Sequence, residues 1–169
     1  MFGDLQKSKI IAYSATFIGL ISLGAWVSIP FFPVPLTLQT LFVLLAGAVM
    51  KRDAVIPVSL YVVLGALGLP VFHTGVAGLG ILLGPTGGFL IGFIFASLVI
   101  GFAYEYESVT IRFTGLLAGT GIIYLCGVAW LMYSLTTQLI PAVISGVLPF
   151  IPGDVIKVYA AYMIAKRLP

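Results

Sequence analysis

IIAYSATFIGLISLGAWVSIPFFPVPLTLQTLFVLLAGAVM, residues 10–50, runs for 41 residues without an Asp, Glu, Lys or Arg. One α-helix needs about 20 apolar residues to cross a hydrocarbon core, so the stretch holds enough chain for two crossings. It also carries its own break. Pro30, Pro33 and Pro35 remove backbone donors and fix φ, so no helix continues through them. The reading is a membrane hairpin, with Ile10–Ile29 and Leu36–Met50 as its arms. The second arm is short for the core thickness, which predicts that the proline segment dips into the protein at the outer side, where non-helical backbone can line a cavity.

The same pattern repeats outward from this block. Residues 54–104 carry no charge, and residues 113–165 carry only Asp154 and Lys157. All other charges fall in four groups: Asp4, Lys7 and Lys9; Lys51, Arg52 and Asp53; Glu105, Glu107 and Arg112; Lys166 and Arg167. A hairpin per block gives six spans with every charge group on one face. Seven of the eight basic residues then share that face, which the positive-inside rule makes cytoplasmic. The expected architecture is an all-α integral membrane protein. It has six transmembrane helices in a single domain over residues 1–169, both termini in the cytoplasm, an outward-facing ligand pocket and a multi-pass place in the plasma membrane.

Composition agrees. The chain is 61% hydrophobic and 8% charged, with a mean hydropathy of +1.21; a soluble domain carries about 25% charged residues. A soluble globular domain, a disordered chain and a disulfide scaffold are excluded. Eight Lys and Arg make too thin and scattered a positive charge for a nucleic-acid partner. Ile10–Ile29 is too long for the apolar region of a signal peptide and lacks a small-residue cleavage site after it, so it reads as the first span.

Further along, Ala54–Leu69 is a short third span, followed by a Gly-rich uncharged stretch, Pro70–Gly88. Gly88–Ala103 and Phe113–Tyr133 are the fourth and fifth spans. In the last block, apolar Gln138–Leu148 is interrupted at Pro149–Gly153 and continues as a helix over Asp154–Ala165. Two broken segments in the same outer half point to a shared cavity, as discontinuous helices do in transporters. Trp26, Trp130 and Tyr133 fall at the predicted outer ends, and Tyr13, Tyr104 and Tyr106 at the inner ends, where interfacial aromatics sit. Small residues recur every four positions. Gly84, Gly88, Gly92 and Ala96, with Gly115 and Gly119, read as packing faces of spans four and five. Ala12, Ala15, Thr16 and Gly19 form a small face on span one that suits either internal packing or a partner helix. Cys126, alone in an apolar stretch, reads as a packing residue.

Asp154 and Lys157 are the strongest chemical signal. Both lie well inside the membrane, where a charge costs about 2.5–3.5 kcal/mol and faces a cavity or a partner. Their i,i+3 spacing places them on one helix face. Asp154 follows Gly153 at an expected helix start, where a carboxylate can cap free amides. One reading is a self-satisfied pair that caps the last helix; the other is a pair that meets a polar ligand, which explains the Lys as a cap does not. His73 reads first as a loop histidine bonded to backbone, and second as a ligand contact. Thr37, Gln39 and Thr86 stand beside the proline and glycine breaks, as local backbone partners or as pocket groups.

Other chemistry is missing from the sequence. There is no G-x-x-x-x-G-K-[ST] loop for ATP. One His, one Cys and one deep acid do not make a metal site. Neither two deep acids nor a Ser–His pair is available for intramembrane proteolysis. The chain is expected to be no enzyme and to need no cofactor.

Four stretches, in order, carry a resemblance: Val34–Gly47 (VPLTLQTLFVLLAG), Gly65–Phe72 (GALGLPVF), Gly84–Phe93 (GPTGGFLIGF) and Phe150–Lys157 (FIPGDVIK). Together they resemble the BioY family, the biotin-binding S components of energy-coupling-factor (ECF) transporters. The resemblance implies six helices that capture biotin from outside with high affinity. It also implies partners, a transmembrane coupling protein and two cytoplasmic ATPases, and an S component that topples in the membrane to carry its ligand inward. Carried over by motif, Asp154 and Lys157 are the polar contacts. Gln39, Thr37 and the loop with Gly84, Thr86 and Gly87 line the pocket, and Ala12, Ala15 and Gly19 meet the coupling protein. Biotin offers ureido N–H donors and a carbonyl, a thioether ring and a carboxylate. Which end Asp154 and Lys157 hold stays open; if they take the ureido group, the carboxylate is left to His73 or loop amides. The alternative to an ATP-driven importer is a stand-alone secondary transporter of a small organic acid.

Overall fold

The computed structural model describes residues 2–168. Its elements in chain order are α1 (Phe2–Trp26), β1 (Ser28–Ile29), β2 (Leu36–Thr37), α2 (Gln39–Met50), α3 (Val55–Ala66), α4 (Leu79–Leu83), α5 (Gly87–Ala103), α6 (Val109–Ser134), α7 (Leu139–Gly146) and α8 (Ile151–Arg167). A 3₁₀ turn, Lys51–Ala54, joins α2 to α3. The Lys51–Ala54 turn, the start of α6 and the end of α8 meet at one end, bringing Lys51, Arg112 and Lys166 together. The proline and glycine segments occupy the other.

Helix limits differ from the sequence expectation at α1. The helix starts at Phe2 instead of Ile10, because no residue from 3 to 9 breaks it. Asp4 sits in the first turn, at the favourable dipole end, and Ser8 Oγ donates back to the Asp4 carbonyl (2.8 Å). The helix also stops earlier, at Trp26. Ser28 and Ile29 pair antiparallel with Thr37 and Leu36, and this hairpin takes the residues expected to finish the first span and begin the second. The proline segment between the strands only partly dips inward. Phe32 at its tip is 84% exposed, whereas Val34 is buried.

Among the described residues two helices, α1 from Asp4 and α6, are long and apolar enough to cross a membrane, and α7 with α8 makes a third if the pair, bent by 54°, is one broken span. α5 is apolar but has 17 residues, and α2 and α3 have 12 each. α2 follows the non-helical segment at residues 27–38, and α3 and α5 flank the segment at residues 67–86. Many large apolar side chains, such as Leu125, Ile140 and Ile156, lie fully outward, as lipid-facing residues do.

Helix α2 runs through the centre, with Val43, Leu44 and Ala46 buried, and packs on α1, α5 and α8. Helices α5 and α6 lie against each other along their small residues. A side chain at Gly88 would strike Trp130 and the Cys126 carbonyl, and a Cβ at Gly92 would come 3.0 Å from Ile123 Cα. Gly115 faces Ala103 and Gly119 faces Ile100 in the same way. The α1 face is different. Ala12, Ala15, Thr16 and Gly19 are all exposed, and a Cβ on Gly19 would meet nothing within 4 Å.

Candidate ligand-binding site

The site is built on α8. Pro152 falls in the first turn, where its missing N–H costs nothing, so the helix begins at Ile151, three residues earlier than expected. Asp154 is therefore no cap: its own N–H already donates to the Phe150 carbonyl (2.8 Å). The carboxylate turns inward, and the residue is 4% exposed. Lys157, one turn on, reaches Asp154 Oδ1 at 2.7 Å.

Two hydroxyls from other helices complete the cluster. Lys157 Nζ donates to Thr40 Oγ1 (2.9 Å), and Thr40 donates to Asp154 Oδ1 (3.3 Å). Tyr124, on α6, donates to Asp154 Oδ2 (2.6 Å). A buried ion pair is favourable only when further hydrogen bonds satisfy it, and α2 and α6 supply them here. The count still leaves openings. A carboxylate accepts about four bonds and an ammonium donates three; Asp154 receives three in all and Lys157 gives two. One acceptor position on Oδ2 and one N–H of Lys157 remain for a ligand with an adjacent donor and acceptor.

The cluster lines a cavity with otherwise mostly apolar walls. Val34 and Pro35 come from the hairpin, Phe72 and His73 from the glycine-rich segment, Phe89, Leu90 and Phe93 from α5, and Phe150 from the α7–α8 break. The empty space among these side chains is about 570 Å³, its open side included. Both broken segments thus border one cavity, as their shared position in the sequence suggested.

A relay of polar contacts fixes one wall. Gln39 Nε2 donates to the Tyr61 hydroxyl (2.7 Å), which donates to the Val71 carbonyl (3.0 Å). Phe72, next in sequence, is buried edge-on against Tyr61, with ring centroids 5.6 Å apart. Trp26 Nε1 donates to the Pro70 carbonyl (3.1 Å). Residues 70–72 are tied at three points, which holds His73 at the cavity. The histidine is not the backbone-bonded loop residue that was its first reading. Its Nδ1 is buried with no hydrogen-bond partner among the described residues. Burial lowers its pKa below the ordinary 6.5, so the ring is neutral at pH 7.

Asp154, Lys157, Gln39, Thr37, His73 and Thr86 therefore border one space. Thr37 also accepts the Gln39 N–H (3.3 Å), and Thr86 donates to the Ile81 carbonyl (3.3 Å). Gly84 and Gly87 do not line the cavity. The Gly84 carbonyl accepts from Trp130 Nε1 (2.9 Å), and Gly87 packs on the Leu82 carbonyl, where any side chain would collide. They shape the turn that carries Thr86.

Thr40 and Tyr124 escaped the sequence reading. Thr40 had no signal beyond sitting next to Gln39. Tyr124 did have one: it lies in mid-helix, away from either interface, where a buried Tyr hydroxyl needs a partner.

The family model described as "BioY family" matches residues 3–169. The biotin transporter BioY of Thermotoga maritima is 45% identical over 154 residues, covering 90% of each chain. A probable biotin transporter BioY of Pyrococcus horikoshii is 40% identical, over 96% of this chain and 98% of that one. Among solved structures, the S-component for biotin from an ECF-type ABC transporter superposes with a TM-score of 0.87 at 31% identity, covering 96% of this chain and 91% of that one.

Proposed function

The chain belongs to the BioY family, and from that membership and the cavity we infer that it is the biotin-capturing S component of an ECF-type transporter. It is a membrane protein and a transport subunit, not an enzyme. The observation that carries the site assignment is the Asp154–Lys157–Thr40–Tyr124 cluster at the edge of an apolar cavity.

In this reading biotin enters with its ureido ring toward the cluster. A ureido N–H donates to the open position on Asp154 Oδ2, and the free N–H of Lys157 donates to the ureido carbonyl. The thioether ring and the alkyl chain rest among Phe89, Phe93 and Phe150, and the carboxylate reaches His73. A neutral donor–acceptor group suits a pair that is already charge-balanced, since a carboxylate there would add a third charge to the low-dielectric site.

The six elements α1, α2, α3, α5, α6 and the α7–α8 pair are read as six crossings in one domain. Both termini then face the cytoplasm of the plasma membrane and the cavity opens outward. Nothing in this reading requires a resident cofactor, since biotin is cargo. Energy comes from two partner ATPases through a coupling protein, which docks on the exposed face of Ala12, Ala15 and Gly19. Uptake of labelled biotin into cells, with and without those partners, tests the assignment. Uptake is expected to need both the partners and ATP. Full uptake by this chain alone, collapsing with the proton gradient, would make it a stand-alone carrier instead.

A further inference from the structure

A second cavity lies at the opposite, charged end of the molecule, between the 51–54 turn, the start of α6 and the end of α8. Its charged lining residues are Lys51, Arg112 and Lys166, and no acidic residue lines it. Three sequence-distant charge groups thus bring their cations to one space while their acids stay out of it. Arg52 pairs with Glu105 outside this cavity. Among the described residues Lys51, Arg112 and Lys166 have no ion-pair partner.

Helix dipoles account for only part of this. Lys166 lies in the last turn of α8 and Lys51 follows α2, and cations are favoured at such C-terminal ends. Arg112 lies one turn into α6, at the N-terminal end, where the dipole disfavours a cation. Its Nε donates to the Tyr106 carbonyl (2.7 Å), and its guanidinium lies 5.5 Å from the Tyr104 ring centre. The remaining N–H groups of the fork are uncommitted. Tyr104 also lines the cavity. It is 5% exposed, yet its hydroxyl has no hydrogen-bond partner among the described residues. Three gathered cations and a buried unpaired hydroxyl lack one thing, an oxyanion with several acceptor positions.

We propose that this cavity binds a phosphoryl group, with Arg112, Lys51 and Lys166 neutralising its charge and the Tyr104 hydroxyl donating to one oxygen. An arginine fork and two ammonium groups suit phosphate geometry and charge. Val109 and Leu168, both exposed and apolar, flank the cations, as a lipid bearing such a headgroup would require. Two sources can bring a phosphoryl group here: the headgroup of an anionic phospholipid, and free phosphate from the aqueous phase. Basic pockets between helix ends on the cytoplasmic side favour the former.

Native mass spectrometry of the detergent-purified full chain tests this with phosphatidylglycerol and phosphatidylcholine as probes. Thermal melting with inorganic phosphate forms the other arm. The variants are Arg112→Gln/Lys166→Gln and Tyr104→Phe, with biotin-dependent stabilisation as the check that each is folded. Retention of phosphatidylglycerol over phosphatidylcholine, falling about fivefold for each cation removed and measurably in Tyr104→Phe, establishes the lipid source. Equal retention of the two lipids, with phosphate raising the melting temperature of the parent chain but not of the variants, establishes the soluble source. If folded variants match the parent in both arms, the proposal is wrong.

Discussion

Tyr124 donates to Asp154 Oδ2 at 2.6 Å, on the opposite carboxylate oxygen from the one that Lys157 holds. The carboxylate is therefore gripped from both sides before any ligand arrives, which aims its one open position. Tyr124→Phe keeps the ring and removes the grip. A hydrogen bond to a charged group contributes about 1.5–3 kcal/mol, so biotin affinity is expected to fall about tenfold or more by titration calorimetry. Unchanged affinity would mean that the hydroxyl does not orient the acceptor.

Breaking the ion pair separates stability from binding. Asp154→Asn leaves Lys157 buried opposite a neutral group, and removing one partner of a buried pair costs about 3–5 kcal/mol. The single variant is expected to melt lower and to bind biotin at least about tenfold more weakly, as is Lys157→Ala. The double variant Asp154→Asn/Lys157→Met is expected to regain much of the melting temperature and none of the binding. Recovery of binding in the double variant would remove both residues from the site.

The Gln39–Tyr61–Val71 relay supports the wall that carries His73. Tyr61→Phe leaves the Gln39 amide and the Val71 carbonyl without their shared partner, at about 1–3 kcal/mol. Melting and biotin dissociation kinetics check this: a lower melting temperature and a faster off-rate are expected. An unchanged off-rate would show that the segment does not hold the ligand.

His73 gives a pH dependence with a defined sign. Its folded pKa lies below the ordinary 6.5 because the ring is buried. The stability it supports is therefore present above about pH 6.5 and lost as pH falls through the folded value. Biotin's carboxylate beside the ring favours the protonated form, so binding takes up a proton and affinity rises as pH falls from about 7 to 6. His73→Ala is expected to flatten both profiles. A pH dependence that survives the substitution would place the carboxylate elsewhere.

The exposed small face of α1 makes the opposite prediction. Ala15→Leu touches nothing inside the chain, so stability should change by less than about 0.5 kcal/mol, with biotin binding intact. Uptake with the partner proteins should fail, because close approach of a second helix needs small side chains. Lost binding would mark the face as internal packing.

The sequence made the helical blocks legible because charge is costly in a membrane, and the expected fourth and fifth spans, Gly88–Ala103 and Phe113–Tyr133, match α5 and α6 within a few residues. It misplaced the start of α1, since Asp4, Lys7 and Lys9 mark the end of an apolar stretch and not the end of a helix. The β1–β2 pairing was hidden too, because Ser28–Ile29 look like a helix end until Leu36–Thr37 fold back on them. Asp154 and Lys157 stood out as lone deep charges. Thr40 and Tyr124 did not, because a hydroxyl on an apolar helix acquires its role only from the side chain that packing brings to it. The small-residue spacing was the same on α1 as on α5, and only the packed structure separates the exposed face from the buried one.

Whether the cavity at Asp154 holds biotin is decided by the melting temperature of the purified chain, alone, with biotin, riboflavin or thiamine, alongside Asp154→Asn. A ligand at 100 times its Kd stabilises by about 2.7 kcal/mol, well within the range of a melting curve. A rise with biotin only, lost in the variant, is expected. A rise with another vitamin, or one with biotin that Asp154→Asn retains in full, would contradict this assignment.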